Sequence, residues 1–217
     1  IAKSNAVNSS FEVYSLIFYT ITTILLSMTL IMIVPFIKIY TSSIKDANYI
    51  VPLFAYLMVF AEFNYAIRYP YSSIVYANGN FKETSKYAIV EPIVNILVSL
   101  LLVRKFGLIG VAIGTLVSTP IRSFGFIYYG ATKILKIKFS EAIKIIVVSL
   151  LEVLVIFIGY LSIGSFEINS YINWIMVAIL FMIFVTIFVV TVNALIFRNT
   201  FKRIVKYIKK EKDKSEI

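Results

Sequence analysis

Two long stretches without a charged residue limit what this chain can fold into. Residues 13–37 and 168–197 contain no Asp, Glu, Lys or Arg, which gives runs of 25 and 30 residues. Because about 20 apolar residues in a helix cross the ~30 Å hydrocarbon core of a bilayer, each run is long enough to span a membrane. Hydrophobic residues make up 60% of the 217-residue chain, whereas soluble domains contain roughly 45–50%. Lipid is therefore the solvent for most of this chain.

Four more apolar stretches lie between these two runs, and each is interrupted by only one or two charges. They are continuously apolar, which favours helices over the alternating strands of a membrane barrel. The sequence therefore predicts an all-α integral membrane protein with six transmembrane helices. The six predicted spans are about 14–37, 50–76, 85–103, 107–130, 143–163 and 172–197.

The predicted spans divide the chain into five parts. These are a cytoplasmic lead-in at 1–13, a four-helix part at 14–130, a basic cytoplasmic loop at 131–142, two additional helices within 143–197 and a basic cytoplasmic tail at 198–217. If the loops alternate sides, 15 Lys and Arg residues lie on the side of both ends and 4 on the other, with 2 embedded. The positive-inside rule then makes both ends cytoplasmic. Because the chain begins at Ile1 and not at Met, we expect a fragment of a longer protein.

The chain has no Cys and no His. Thiolate nucleophiles, imidazole metal sites and Ser-His-Asp triads are therefore excluded, and we predict no catalytic residues, no metal site and no cofactor. The net charge of +10 would point to nucleic acid in a soluble protein, but here the charges set topology, so we expect no nucleic acid partner. The tail has the pattern of an amphipathic helix on anionic inner-leaflet lipids. A solvated basic tail that only fixes topology is the alternative.

Five ionisable residues fall inside predicted spans: Glu62, Arg68, Glu91, Arg122 and Glu152. Charge at the bilayer centre costs about 2.5–3.5 kcal/mol on insertion scales, so such residues usually face a bundle interior or an aqueous cavity. The second, third and fourth spans each carry a polar stripe at helical spacing. Further candidates on these stripes are Tyr65, Tyr69, Asn95 and Ser118. We predict a hydrated cavity, the alternative being that Glu and Arg pair across helices merely to satisfy each other.

Other residues of the spans bear on helix shape and position. Pro70 is expected to free a backbone carbonyl in the polar half of the second span, as in the broken helices of transporters. Gly110 and Gly114 form a small-xxx-small seam for close helix contact. The first and sixth spans are nearly featureless, which predicts outer, lipid-facing or supporting positions. Glu152 has only Ser149 as an obvious polar partner, so pairing or partial snorkelling is an alternative to a functional role.

Three segments carry a resemblance to a known family: Asn78-Gly79-Asn80-Phe81-Lys82, Glu91 to Ile96, and Gly107 to Thr115. In this order and spacing the pattern resembles polysaccharide-biosynthesis flippases of the multidrug/oligosaccharidyl-lipid/polysaccharide exporter superfamily. The match covers roughly 50–130, and one departure is Tyr76-Ala77-Asn78 in place of the usual Gln-Ala before the loop glycine. The resemblance implies two six-helix lobes around a cavity that opens alternately to each side. This chain would supply most of the C-terminal lobe and two extra helices.

The resemblance also implies a function. The protein would move an undecaprenyl-diphosphate-linked oligosaccharide repeat unit across the bacterial cytoplasmic (inner) membrane for O-antigen, capsule or exopolysaccharide biosynthesis. Arg68 and Arg122 would bind the diphosphate, while Glu62 and Glu91 balance their charge or take up H⁺ or Na⁺. Other glycan-assembly membrane proteins are possible partners.

Two alternatives remain open at this point. A cation-coupled multidrug antiporter of the same superfamily would use the acidic residues for cationic substrates. A non-transporting membrane scaffold would recruit glycan-assembly enzymes through its basic tail.

Overall fold

The computed structural model describes residues 2–163 and 168–215, and within these residues every regular element is a helix. The predicted all-α class is thus confirmed, and only Ile1, 164–167 and 216–217 of the predicted parts lie outside the described residues. The elements are α1 (Ala2–Tyr40), α2 (Pro52–Ala66), α3 (Tyr69–Ala77), α4 (Phe81–Phe106), α5 (Leu108–Tyr129), a π-helix (Gly130–Leu135), α6 (Phe139–Ile163), α7 (Tyr171–Ile196) and α8 (Arg198–Ser215).

Five helical segments are long and apolar enough to cross a membrane, which supports a multi-pass membrane protein. They are Ala6–Tyr40, Phe81–Phe106, Leu108–Leu135, Phe139–Ile163 and Tyr171–Ile196. The predicted six-span arrangement is not confirmed, because the second predicted span is divided into α2 and α3. Neither of these helices is long enough to cross the bilayer alone, with 15 and 9 residues respectively.

Pro70 lies at the division of the second span, in the first turn of α3. Proline has no N–H to donate to the carbonyl four residues earlier, so the helical hydrogen bonding is interrupted there. The hydroxyl of Tyr19 in α1 donates to the carbonyl of Ile67 at 2.6 Å, which satisfies a backbone acceptor at the break. The predicted disruption is therefore present, and Arg68 lies directly on it.

Helix α1 lies in the centre of the bundle. It packs against α2, α6 and α7, and its side chains Leu16, Tyr19 and Leu30 are almost fully buried. Of the predicted outer, lipid-facing or supporting positions, the outer one is therefore wrong for the first span. A charge-free helix gives no polar pattern to indicate which faces are covered, so its sequence suits the centre as well as the periphery. The peripheral helix is α4, in which Thr84 alone is buried and which packs mainly against α5.

Glycine residues allow α4 and α5 to form a close hairpin. Gly107 has a φ of +54° and joins the two helices, a conformation that glycine adopts readily. A Cβ placed on Gly110 would lie 2.6 Å from the Leu102 carbonyl carbon, and one on Gly114 would lie 2.1 Å from Ser99 Oγ. The predicted small-residue seam is confirmed as a helix contact.

We expect Gly110→Leu to destabilise the protein, because the atoms that its side chain would meet belong to the backbone of α4 and cannot rotate away. Overpacking of this kind costs about 1–3 kcal/mol, which would lower the thermal midpoint of detergent-purified protein by several degrees. Gly159→Leu is the matched control, since a Cβ there has no atom within 4 Å. An equal midpoint for the two variants would contradict the close packing of α4 on α5.

The basic loop and tail are more ordered than the predicted parts suggest. The predicted loop 131–142 begins inside the π-helix and ends inside α6, and the predicted lead-in is the first part of α1. The tail forms α8, in which Arg203 pairs with Glu12 and donates a hydrogen bond to Ser9, both in α1. These contacts hold the start of α8 against the N-terminal part of α1.

Candidate functional site

Three charged side chains from the predicted second, third and fourth spans meet inside the bundle. Nη1 of Arg68 lies 3.3 Å from Oε2 of Glu91, and Nη1 of Arg122 lies 3.6 Å from the same oxygen. We call Arg68, Glu91 and Arg122 the charged cluster. Since two guanidinium groups share one carboxylate, the cluster has a formal charge of +1. An anion is the ligand whose charge would complement it.

The two arginines differ in how firmly the protein holds them. The Arg68 side chain is only 5% exposed, and its Cζ lies 4.0 Å from the centre of the Tyr65 ring, which gives it a cation–π contact. The Arg122 side chain is 29% exposed, and its Nε is buried without a hydrogen-bond partner in the described part of the chain. Arg122 is therefore the accessible cation of the cluster, and Arg68 the anchored one.

The charged cluster leaves hydrogen-bonding capacity unused. A guanidinium carries five N–H donors, and one carboxylate accepts from only some of the ten that two arginines present. The contacts of 3.3 and 3.6 Å are also longer than the ~2.7–2.9 Å of a tight charge-assisted bond. Glu91 therefore balances charge and accepts long hydrogen bonds from Arg68 Nη1, but it leaves Arg122 Nε without a partner, and an oxyanion would gain bonds here.

A glycine on α5 sets the position of Glu91. A Cβ on Gly125 would lie 2.2 Å from Cδ2 of Tyr87, so only glycine allows the Tyr87 ring to lie against the α5 backbone. Tyr87 and Glu91 are one turn apart on α4, and Arg122 and Gly125 are nearly one turn apart on α5. Residues at this spacing share a helix face. The close contact therefore turns Glu91 towards Arg122.

Two of the predicted cavity residues form hydrogen bonds inside the α4–α5 hairpin. Nδ2 of Asn95 donates to Oγ1 of Thr115 at 3.3 Å, and Ser99 Oγ donates to Oδ1 of Asn95 at 3.2 Å. Ser118 is fully buried and donates to the Thr115 carbonyl. Asn95 therefore joins α4 to α5, whereas the Ser118 bond stays within α5 and Ser118 does not line an open surface of this chain.

An exposed polar face runs along α2 and α3 beside the charged cluster. Its exposed side chains are Glu62, Tyr65, Tyr69, Ser73 and Tyr76, which we call the tyrosine stripe. The rings of the first two tyrosines meet edge to face, and the Tyr69 ring stacks on Phe18 of α1. The stripe reaches the cluster through the Tyr65 ring on Arg68. Glu62 belongs to the stripe and makes no ion pair among the described residues.

Glu152 is separate from the charged cluster. It lies in α6, is 3% exposed, and has Asn193 of α7 beside its carboxyl group. Sequence reasoning missed Asn193, although an Asn within a long charge-free span is a signal for a buried polar role. It also missed Tyr19 and Phe18, which look like ordinary aromatic residues of a span. The described residues contain no group of three or more acidic side chains that could hold a metal ion.

Comparison with known protein families, with curated proteins and with solved structures found no match for this chain.

Proposed function

We propose that this chain is part of a flippase that carries an undecaprenyl-diphosphate-linked oligosaccharide repeat unit across the bacterial cytoplasmic membrane for surface-polysaccharide biosynthesis. The observation that carries the proposal is the charged cluster, which has a net positive charge, unused donors and an accessible arginine beside an exposed polar face. These features favour an anionic substrate. The diphosphate and glycan follow from the resemblance of residues 78–82, 91–96 and 107–115 to polysaccharide flippases.

In this proposal the tyrosine stripe faces a water-filled cavity between two lobes. A glutamate and a row of tyrosine hydroxyls exposed to lipid within a membrane span would be costly. A hydrated cavity gives them water, and the same hydroxyls and rings would bind the sugars of the substrate. The stripe, α1, α4 and α5 would then belong to most of the C-terminal lobe, α6 and α7 would be the two extra helices, and both ends of the chain would be cytoplasmic.

Glu91 connects substrate binding to charge balance. In the empty cluster it pairs with both arginines. A diphosphate that pairs with both arginines would replace Glu91 as their partner and leave its carboxylate unpaired. An unpaired carboxylate in a membrane interior is unfavourable. Uptake of a proton or Na⁺ by Glu91 would restore neutrality. Binding of the diphosphate and of the cation therefore assist each other, as thermodynamic linkage requires.

We expect the full-length protein to bind undecaprenyl diphosphate in preference to cationic ligands. The ligand with two phosphates satisfies the positive charge and the free donors of the cluster, whereas a cation is repelled by the accessible Arg122. Binding is measured on detergent-purified protein with undecaprenyl diphosphate, with ethidium as the cationic ligand and phosphatidylcholine as the lipid control. Saturable binding of ethidium without binding of the diphosphate lipid would instead favour a multidrug antiporter.

The scaffold alternative predicts a different outcome. If the protein only recruits other enzymes, removal of α8 would abolish polysaccharide production while changes in the charged cluster would have no effect. We expect the opposite order of effects, because the described contacts of Arg203 in α8 are with Ser9 and Glu12 of α1 and not with the charged cluster.

A further inference from the structure

A second set of buried polar side chains lies where α1, α6 and α7 pack together. It consists of Thr23 and Ser27 of α1, Ser149 and Glu152 of α6, and Asn193 of α7, and we call it the inner polar group. Each of these residues is at most 3% exposed. The group shares no residue with the charged cluster or the tyrosine stripe.

The inner polar group is unsatisfied. Seven of its side-chain atoms are buried without a hydrogen-bond partner in the described part of the chain, including both carboxyl oxygens of Glu152 and both amide atoms of Asn193. Buried polar atoms in proteins have a partner in roughly 90% of cases or more. Seven buried polar atoms without a partner, contributed by three helices, are therefore unusual, and a bound ligand would account for them.

Other hydroxyl residues on the same helices behave differently. Thr20 and Thr29 of α1 donate to the carbonyls four residues earlier, at 2.7 and 2.8 Å, and Ser162 of α6 does the same at 2.8 Å. This bond is the usual way for a hydroxyl in a membrane helix to satisfy itself. Thr23 and Ser27 make no such bond, so their oxygens remain available to a ligand.

Helix α1 packs against α6 and α7, and the inner polar group lies on buried faces of these three helices. Thr23 and Ser27 are about one turn apart on α1, and Ser149 and Glu152 are nearly one turn apart on α6, so the members of each pair share a helix face. Asn193 of α7 lies beside the Glu152 carboxyl, although the two do not meet hydrogen-bond geometry.

The charge of the group defines the ligand. No Lys or Arg of the described residues forms an ion pair with Glu152, and an isolated carboxylate inside a membrane is unfavourable. A monovalent cation would neutralise it, whereas a divalent one would leave an excess positive charge. The group offers carboxylate, amide carbonyl and hydroxyl oxygens, which hard cations prefer. A single proton on Glu152 would leave most of these oxygens without a partner.

We propose that the inner polar group is a binding site for a dehydrated Na⁺ ion, held by Glu152 with oxygens of Asn193, Thr23, Ser27 and Ser149. All five residues are almost fully buried, so an ion held by them would have lost its hydration shell. This site is independent of the proposed flippase function, because it requires only the packing of α1, α6 and α7. An ion bound here joins the central helix α1 to α6 and α7.

Na⁺ binding is tested on the full-length protein in detergent at fixed pH and constant ionic strength. We expect NaCl in place of choline chloride to raise the thermal midpoint in a saturable manner, with KCl much less effective. Glu152→Gln is expected to abolish the Na⁺ response. Glu141→Gln is the matched control, because it removes an exposed carboxylate from the first turn of the same helix, outside the inner polar group, and should leave the response unchanged.

A second variant covers the case in which Glu152→Gln does not fold. Thr23→Val keeps the shape of the side chain and removes one oxygen, and we expect it to weaken the apparent Na⁺ affinity on the order of tenfold, as loss of a supporting ligand group does. A wild-type midpoint that does not respond to Na⁺ would overturn the proposal. An unchanged Na⁺ response in Thr23→Val or Glu152→Gln would also overturn it, since the ion would then bind elsewhere.

Discussion

Glu91→Gln is expected to destabilise the substrate-free protein and at the same time tighten its binding of undecaprenyl diphosphate. The substitution keeps the size of the side chain and removes the carboxylate that Arg68 and Arg122 share. Breaking a buried ion pair by removing one partner costs about 3–5 kcal/mol. We expect the lower end of that range, because the Arg122 side chain is 29% exposed and retains contact with water.

The same substitution raises the formal charge of the cluster from +1 to +2. The diphosphate then meets two free guanidinium groups and does not have to displace a carboxylate, so we expect its affinity to rise on the order of tenfold, about 1.4 kcal/mol. A ligand that binds only the folded state also stabilises it. Adding undecaprenyl diphosphate should therefore recover much of the lost thermal stability of Glu91→Gln.

Glu62→Gln is the matched control for this experiment. It makes the same chemical change on α2, but Glu62 is exposed and forms no ion pair among the described residues. We expect little change in its thermal midpoint. If Glu91→Gln lost stability but bound the diphosphate lipid no better than wild type, the cluster would be a structural ion pair and not a substrate site.

Removing the two arginines is expected to have the largest effect on transport. Arg68 and Arg122 provide all the positive charge of the charged cluster, and a diphosphate without a partner cation is strongly unfavourable in a low-dielectric site. We expect Arg122→Gln to reduce the initial rate of lipid flipping at least about tenfold, and the double change with Arg68→Gln about a hundredfold, at 1.4 kcal/mol for each factor of ten. The assay uses full-length protein in proteoliposomes.

Two further variants sharpen this test. Arg122→Lys keeps the charge but loses the planar fork that binds phosphate through two parallel bonds, so we expect intermediate activity. Arg104→Gln removes an arginine from the exposed end of α4, outside the cluster, and should flip lipid at the wild-type rate. Size-exclusion chromatography checks that the variants are folded. Full activity of folded Arg122→Gln and of the double variant with Arg68→Gln would show that these arginines do not bind the diphosphate.

Several features of the fold were predictable because they depend on local chemistry. Charge-free runs long enough to cross a bilayer predict membrane helices, and the two runs of this chain lie mainly in α1 and α7, two of the five helices that are long and apolar enough to span a membrane. Pro70 lacks an N–H wherever it lies, so its position predicted a disturbed helix, and the break between α2 and α3 is there. The break itself was not predictable from proline alone, because Pro35, Pro92 and Pro120 lie inside continuous helices. Gly110 and Gly114 likewise predicted a close helix contact from their spacing.

The candidate site was predicted in part. Charge in a membrane span must find a partner or water, so the sequence indicated that Arg68, Glu91 and Arg122 lie inside the bundle. It did not indicate that one carboxylate serves both arginines. That arrangement depends on the α4–α5 hairpin and on the contact of Gly125 with Tyr87, which bring together residues distant in sequence.

The sequence by itself determined that this chain is a helical membrane protein and which of its ionisable side chains require a partner. These properties follow from the cost of transferring charge and unpaired backbone groups into lipid, which each residue carries independently of its neighbours in space. Only the tertiary structure decided that α1 is central and that Glu152 lies beside Asn193. Apolar helices pack in lipid through the fit of their surfaces and not through a hydrophobic driving force, so which faces meet depends on all the helices together.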